Sequence, residues 1–184
     1  MARKQEQPDT FLNDSKDEIR YIGIGEMALG YPGDFLKISS LGSCIGLVIY
    51  PEIDEISSRC AIMGHIMLPK AHETMKRNQN STSGKEAKYA NEAIPAMIEA
   101  LESQKRIKKR FVAKMAGGAK MFGQKSETFH IGKENSRVVK YLLKSMDIPL
   151  LRFYTGGETG MRVSFDVSNY RLFVTPIGGN LTIL

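Results

Sequence analysis

Cys44 and His65 are the two side chains in this sequence whose types and neighbours fit covalent chemistry near neutral pH. A thiolate is a strong nucleophile, but a free thiol ionises only near pKa ~8.5, so it needs a base beside it. Imidazole is the side chain that can take that proton near neutrality. Cys44 ends the run Leu41-Gly42-Ser43-Cys44 and leads straight into Ile45-Gly46-Leu47-Val48-Ile49-Tyr50. Gly42 permits backbone geometry closed to larger residues. With Ser43 it makes a turn that can hold a thiol at a strand edge with backbone N–H groups close by, the makings of an oxyanion hole. The same residues also fit a buried, inert cysteine packed as a small hydrophobe. His65 interrupts the apolar run Cys60-Ala61-Ile62-Met63-Gly64-His65-Ile66-Met67-Leu68. A buried ring must be paired, either with a backbone carbonyl or with the Cys44 thiol. Cys60, on the same run, reads as core.

The remaining candidates are weaker. His72 lies in a polar stretch and reads as solvated, and His130 precedes Ile131-Gly132, where it reads as capping or packing. Gly117-Gly118 lacks the lysine-serine pair of a phosphate loop and the spacing of a dinucleotide loop. It is a tight turn that either serves structure alone or lets another backbone, a substrate included, come close. Gly156-Gly157 and Arg162 read in the same two ways.

Composition narrows the function classes. With 184 residues, 42% hydrophobic and 25% charged, the chain is of ordinary globular make-up and long enough for one real core. Two cysteines are too few for a disulfide framework, and neither has the partners of a zinc site. No run approaches the ~20 apolar residues of a membrane helix, and the polar start lacks a secretory signal. A soluble, cytoplasmic protein is expected, without membrane insertion. The net charge of +6 is densest at Lys105-Arg106-Ile107-Lys108-Lys109-Arg110. That run reads as the charged end of a helix, since no nucleic-acid motif accompanies it. An acidic protein partner stays open.

The elements that must carry these residues follow from periodicity. Residues 1–19 read as a flexible tail and 20–184 as a single domain. Strands are expected at Tyr21–Met27, Phe35–Ser39, Ile45–Tyr50, Cys60–Leu68, Phe111–Ala116 and Ile148–Tyr154. Met161–Phe165 and Arg171–Val174 alternate and form a hairpin across Asp166–Tyr170. Ala90, Ala93, Ile94, Met97, Ile98 and Leu101 mark a helix face, capped by Ser83 and kinked or broken at Pro95. A second helix starts near Gly132–Glu134, with Val138, Val139, Leu142 and Leu143 inward. Residues 70–84 form a long surface loop. Strands outnumber helices and adjoin one another, which gives an α+β fold: mixed sheets, sandwich-like, with helices on the outer faces.

Several blocks stand in one order between Tyr21 and Pro176. They are Gly23-Ile24-Gly25-Glu26, Leu41-Gly42-Ser43-Cys44-Ile45-Gly46, Gly64-His65-Ile66-Met67-Leu68-Pro69 and Lys88-Tyr89-Ala90. Lys114-Met115-Ala116-Gly117-Gly118-Ala119-Lys120-Met121-Phe122, Ile131-Gly132-Lys133-Glu134-Asn135, and Gly156-Gly157 with Gly160-Met161-Arg162 follow. This arrangement resembles the CheD family of chemoreceptor glutamine deamidases. The resemblance implies a Cys-His hydrolase without metal or cofactor. It would convert glutamine side chains on the cytoplasmic helices of chemoreceptors to glutamate plus ammonia. Some members hydrolyse receptor methyl esters, and some bind and stimulate a CheC-type phosphatase, the second candidate partner.

By position Cys44 takes the nucleophile's place and His65 the base's; from the turns themselves, Gly42, Ser43, Gly117 and Gly118 are the candidate substrate-binding residues. The family's third member is a threonine shortly before the cysteine that orients the histidine. Ile38 stands at that position here, followed by Ser39 and Ser40. Either hydroxyl could take over, and Ser39 is the candidate. The linker between Cys44 and His65 is longer and more charged than the family's usual one. The turn Val167-Ser168-Asn169-Tyr170 lacks the glycine commonly found there. The Ile38 departure motivates a rival reading, a binding module for a CheC-type phosphatase with weak or no hydrolase activity. A redox pair of Cys44 and Cys60 is a third and poorer candidate.

Overall fold

The structure is a computed structural model, and it describes residues 18–70, 85–104, 110–120 and 128–184. Most of the expected tail, the 71–84 part of the surface loop with His72 and Ser83, most of the basic run, and Met121-Phe122 lie outside the described residues.

Among the described residues, ten strands form two five-stranded sheets. The first contains β1 (Ile19–Tyr21), β3 (Phe35–Leu41), β8 (Met161–Asp166), β9 (Arg171–Pro176) and β10 (Thr182–Ile183), in the order β1-β3-β8-β9-β10. The second contains β2 (Met27–Gly30), β4 (Ile45–Pro51), β5 (Ala61–Ile66), β6 (Phe111–Gly117) and β7 (Leu150–Thr155), in the order β2-β5-β4-β6-β7. Each sheet is mixed: β1 pairs with β3 and β6 with β7 in parallel, and the other pairings are antiparallel. The expected α+β sandwich is the observed architecture. Both helices, α1 (Ala90–Glu102) and α2 (Thr128–Ser145), pack on the outer face of the second sheet.

The central strands of the second sheet are therefore buried on both sides, and β4 shows why its sequence is one apolar run. Ile45, Leu47 and Ile49 face the helices with Ile62, Ile66 and Met115. Val48 and Tyr50 face the first sheet, against Leu36, Ile38, Leu41, Phe165 and Val174. A strand between two cores has no wet face, so the polar-apolar alternation disappears.

Three expectations need correction. Tyr21–Met27 is not one strand. β1 ends at Tyr21, β2 begins at Met27, and the segment between crosses from one sheet to the other, with Gly25 at φ +80. α2 starts at Thr128, ahead of the expected Gly132. Gly132 lies inside the helix, where a Cβ would come within 2.6 Å of the Ala119 carbonyl oxygen, so the close approach and not a helix start accounts for the glycine. α1 runs unbroken through Pro95, which lies on its exposed side, and follows Tyr89 with no side-chain cap. The hairpin of β8 and β9 is as expected, and its missing glycine is made up by Tyr170, which adopts φ +57 itself.

Candidate active site

Cross-strand register puts Cys44 and His65 on neighbouring strands. His65 on β5 is paired with Gly46 on β4, and Cys44 lies two residues before Gly46. The face of β5 is set by its neighbours: Gly64 backs onto Met97 of α1, while Met63 belongs to the core between the sheets. His65, one residue on, shares Met63's side. Cys44 packs against the same inter-sheet core. The two residues are thus a diagonal pair, about 7–8 Å apart at Cα and within reach of a long side chain. His65 is 3% exposed and Cys44 is half-buried.

No hydrogen bond joins them. Both ring nitrogens of His65 are buried and have no hydrogen-bond partner among the described residues. Burial holds His65 below the ordinary imidazole value, opposed by the nearby Ile22 backbone, which falls short of hydrogen-bond geometry, and by the Glu26 carboxylate. Burial also raises the Cys44 thiol, with its own backbone N–H pulling the other way. At neutral pH the resting pair is thiol and neutral imidazole. Such a pair works by general-base transfer during attack, without a standing thiolate.

The segment between β1 and β2 closes over the histidine. The Ile22 N–H donates to the Lys37 carbonyl of the first sheet at 2.8 Å. The Gly25 N–H donates to the His65 carbonyl, and the His65 N–H to the Glu26 carbonyl, each at 2.9 Å.

The turn before Cys44 is held by its carbonyls. The Gly42 oxygen accepts from the Ala119 N–H at 2.9 Å and the Cys44 oxygen from the Gly118 N–H at 2.8 Å. The Ser43 oxygen accepts from the Asn135 side-chain amide at 2.9 Å. In a trans peptide the N–H points opposite to the preceding carbonyl. The Ser43 and Cys44 N–H groups therefore face away from these partners, and among the described residues neither donates to another residue, the Cys44 N–H having only its own sulfur beside it. Two free donors beside a thiol can hold an oxyanion.

Gly42 itself does not use left-handed backbone. That conformation belongs to Gly117 and Gly118, at φ +118 and +67. The backbone approaching them is the chain's own: Cβ at 118 would lie 2.7 Å from the Gly132 carbonyl, and Cβ at 117 would collide with the Cys44 carbonyl.

The third-member position has a definite occupant. Ile38 is 2% exposed, and its Cδ1 lies 3.1 Å from where Cβ of Gly46 would be, over the cross-strand partner of His65. Ser39 and Ser40 are exposed, at a register shift where β3 gains one residue on β8 between Ile38 and Leu41. Neither hydroxyl is bonded to His65. Cys60 is buried among the helix-side residues with its thiol pushed up to about 11. Extending the β4–β5 register puts it opposite Pro51, seven residues along β4 from Cys44. That is about 23 Å, far beyond the reach of a disulfide, and the redox pair is excluded.

Nothing local to Asn135 marks it as a functional residue. It falls on the apolar stripe of α2 with Val138, Val139, Leu142 and Leu143, and a lone amide in such a stripe is the available signal.

Comparison with known proteins bears on this site as a whole. A family model described as CheD chemotactic sensory transduction matches residues 67–176, beginning two residues after His65. A protein of Clostridium novyi is 36% identical over 166 residues, covering 89% of this chain and 96% of its own length. The chain belongs to the CheD family. A CheD protein of Desulforamulus reducens is 33% identical over 165 residues, covering 89% and 93% of the two chains. Another, of Clostridium botulinum strain Hall, is 35% identical over 159 residues, covering 85% and 92%. All three carry the name "Probable chemoreceptor glutamine deamidase CheD". Among the described residues of this CheD chain, no helix is long and apolar enough to cross a membrane.

Proposed function

We propose that this protein deamidates glutamine side chains on chemoreceptor cytoplasmic helices, with Cys44 as nucleophile and His65 as general base. The observation that carries the reading is the tied-back turn. Three carbonyls are held away from the thiol, leaving two unused N–H donors beside it. Family membership and the names of the relatives supply the substrate class.

The steps follow from the groups present. His65 takes the Cys44 proton as sulfur bonds to the carboxamide carbon. The Ser43 and Cys44 N–H groups receive the negative charge that develops on oxygen. Collapse breaks the C–N bond, and the proton on His65 leaves with ammonia. Water, deprotonated by His65, then attacks the thioester and releases glutamate, and the thiol regains its proton. A glutamate methyl ester would be cleaved by the same acyl transfer, with methanol as the first leaving group. His65 starts unpaired, so a small side-chain rotation must precede proton transfer.

The test is mass spectrometry of a receptor cytoplasmic fragment incubated with wild type or Cys44→Ala. Conversion of glutamine to glutamate by wild type alone is expected. Conversion that survives Cys44→Ala overturns the mechanism. The unpartnered His65 favours one second reading, a binding module for a CheC-type phosphatase. No conversion by either protein on a folded receptor fragment would select it.

A further inference from the structure

Asn135 is fully buried on α2, in the layer between that helix and the second sheet. Its Nδ2 donates to two main-chain carbonyls, Ser43 and Met67, each at 2.9 Å. The amide orientation is set by these partners, since the reverse would press its oxygen against both carbonyls. Ser43 directly precedes Cys44, and Met67 follows His65 by two residues. One NH₂ group therefore joins the backbone that carries the nucleophile to the backbone that carries the base.

The surrounding contacts make this join tight. Gly132, three residues earlier on the same helix face, has no side chain where the Gly118 and Ala119 carbonyls approach. The helix can thus come close enough for Asn135 to reach the turn. Burying an amide costs free energy unless it is bonded. Among the described residues its oxygen Oδ1 has no hydrogen-bond partner. Packing alone does not account for an amide kept here with only half its capacity used.

We infer that Asn135 is a positioning residue: it turns the Ser43–Cys44 peptide so that the Cys44 N–H faces the reacting carbonyl, and it fixes the spacing of Cys44 and His65. The inference deepens the deamidase reading and rests on it for the reaction, but the peptide orientation can be measured without it. Asn135 touches no reacting atom and acts only through Ser43 and Met67.

Asn135→Leu removes the donors without burying a charge, and Asn135→Asp keeps the size but, held protonated by burial against two carbonyls, offers one donor in place of two. Both are compared with wild type in the full chain, with the folded fraction measured by denaturant titration. Two readouts apply per folded molecule. For the receptor fragment, kcat should fall about 10²–10³-fold, the usual loss when an oxyanion donor is misplaced, with KM changed less than about threefold. For iodoacetamide, the pH midpoint of Cys44 alkylation should move up, because the thiolate loses its own N–H.

Wild-type kcat with an unmoved midpoint in the folded Asn135→Leu variant overturns the inference. So does a lower kcat that follows the folded fraction while the midpoint stays put. Should wild type convert no glutamine, the deamidase reading falls. The midpoint shift then decides the clamp alone, present in the variants if the clamp is real and absent if it is not.

Discussion

Gly117→Ala is the substitution whose consequences the structure states most directly. The position adopts φ +118, outside the left-handed well that non-glycine residues occasionally visit. A Cβ there would overlap the Cys44 carbonyl oxygen and lie 3.1 Å from Leu41 Cδ2. Restoring ordinary contact requires the Cys44 peptide to retreat by about 1 Å. Three costs follow. Strained backbone contributes about 1–3 kcal/mol. Loss of the 2.8 Å bond from the Gly118 N–H leaves a carbonyl unsatisfied, about 1–3 kcal/mol. Displacement of the nucleophile by that distance lowers kcat by about 10²-fold. The expected result is about 2–6 kcal/mol of lost stability in urea titration, with the kcat loss persisting in the folded fraction. Gly178→Ala is the control: it also has positive φ, +76, but open space where Cβ would go. It should cost about 1 kcal/mol and leave kcat alone. If Gly117→Ala costs no more than Gly178→Ala and keeps its kcat, the Gly117 contact does not position Cys44.

Two further expectations concern the histidine. Because burial lowers the folded-state value of His65, the unfolded chain binds that proton first on acidification. Stability is therefore lost as pH falls through the ordinary imidazole value of 6.5, and it is fully present above it. His65→Gln should flatten this part of the pH dependence in urea titrations between about pH 5 and 8, and a steeper dependence in the variant refutes the assignment. Ile38→Thr trades buried methyls over Gly46 for a hydroxyl facing His65. It should lose about 1–3 kcal/mol of stability and raise kcat about tenfold, the worth of one orienting hydrogen bond. An unchanged kcat in folded variant would mean that orientation of His65 is not limiting.

Much of this was legible along the chain because local chemistry determines it. The doubly apolar runs of β4 and β5 had to be buried strands, and the stripe Ala90, Ala93, Ile94, Met97 and Leu101 had to be a helix face. A lone histidine within one such run, and a small-residue turn ending in cysteine, mark Cys44 and His65 as candidates from the sequence alone. The family blocks are likewise a property of the sequence. What it left open were questions of distance. Tyr21–Met27 reads as one strand because periodicity reports burial and not which sheet a residue joins, and only the cross-sheet bonds of Ile22 and Gly25 divide it. Gly117 and Gly118 read as turn residues, yet they owe their type to a carbonyl seventy-odd residues earlier and to a helix that follows. Ser39 reads as a candidate hydroxyl, while the extra residue gained between Ile38 and Leu41 leaves it exposed. Asn135 needed the tertiary structure most. An amide's role lies in which carbonyls it meets, and those of Ser43 and Met67 are brought together only when the helix packs on the sheet.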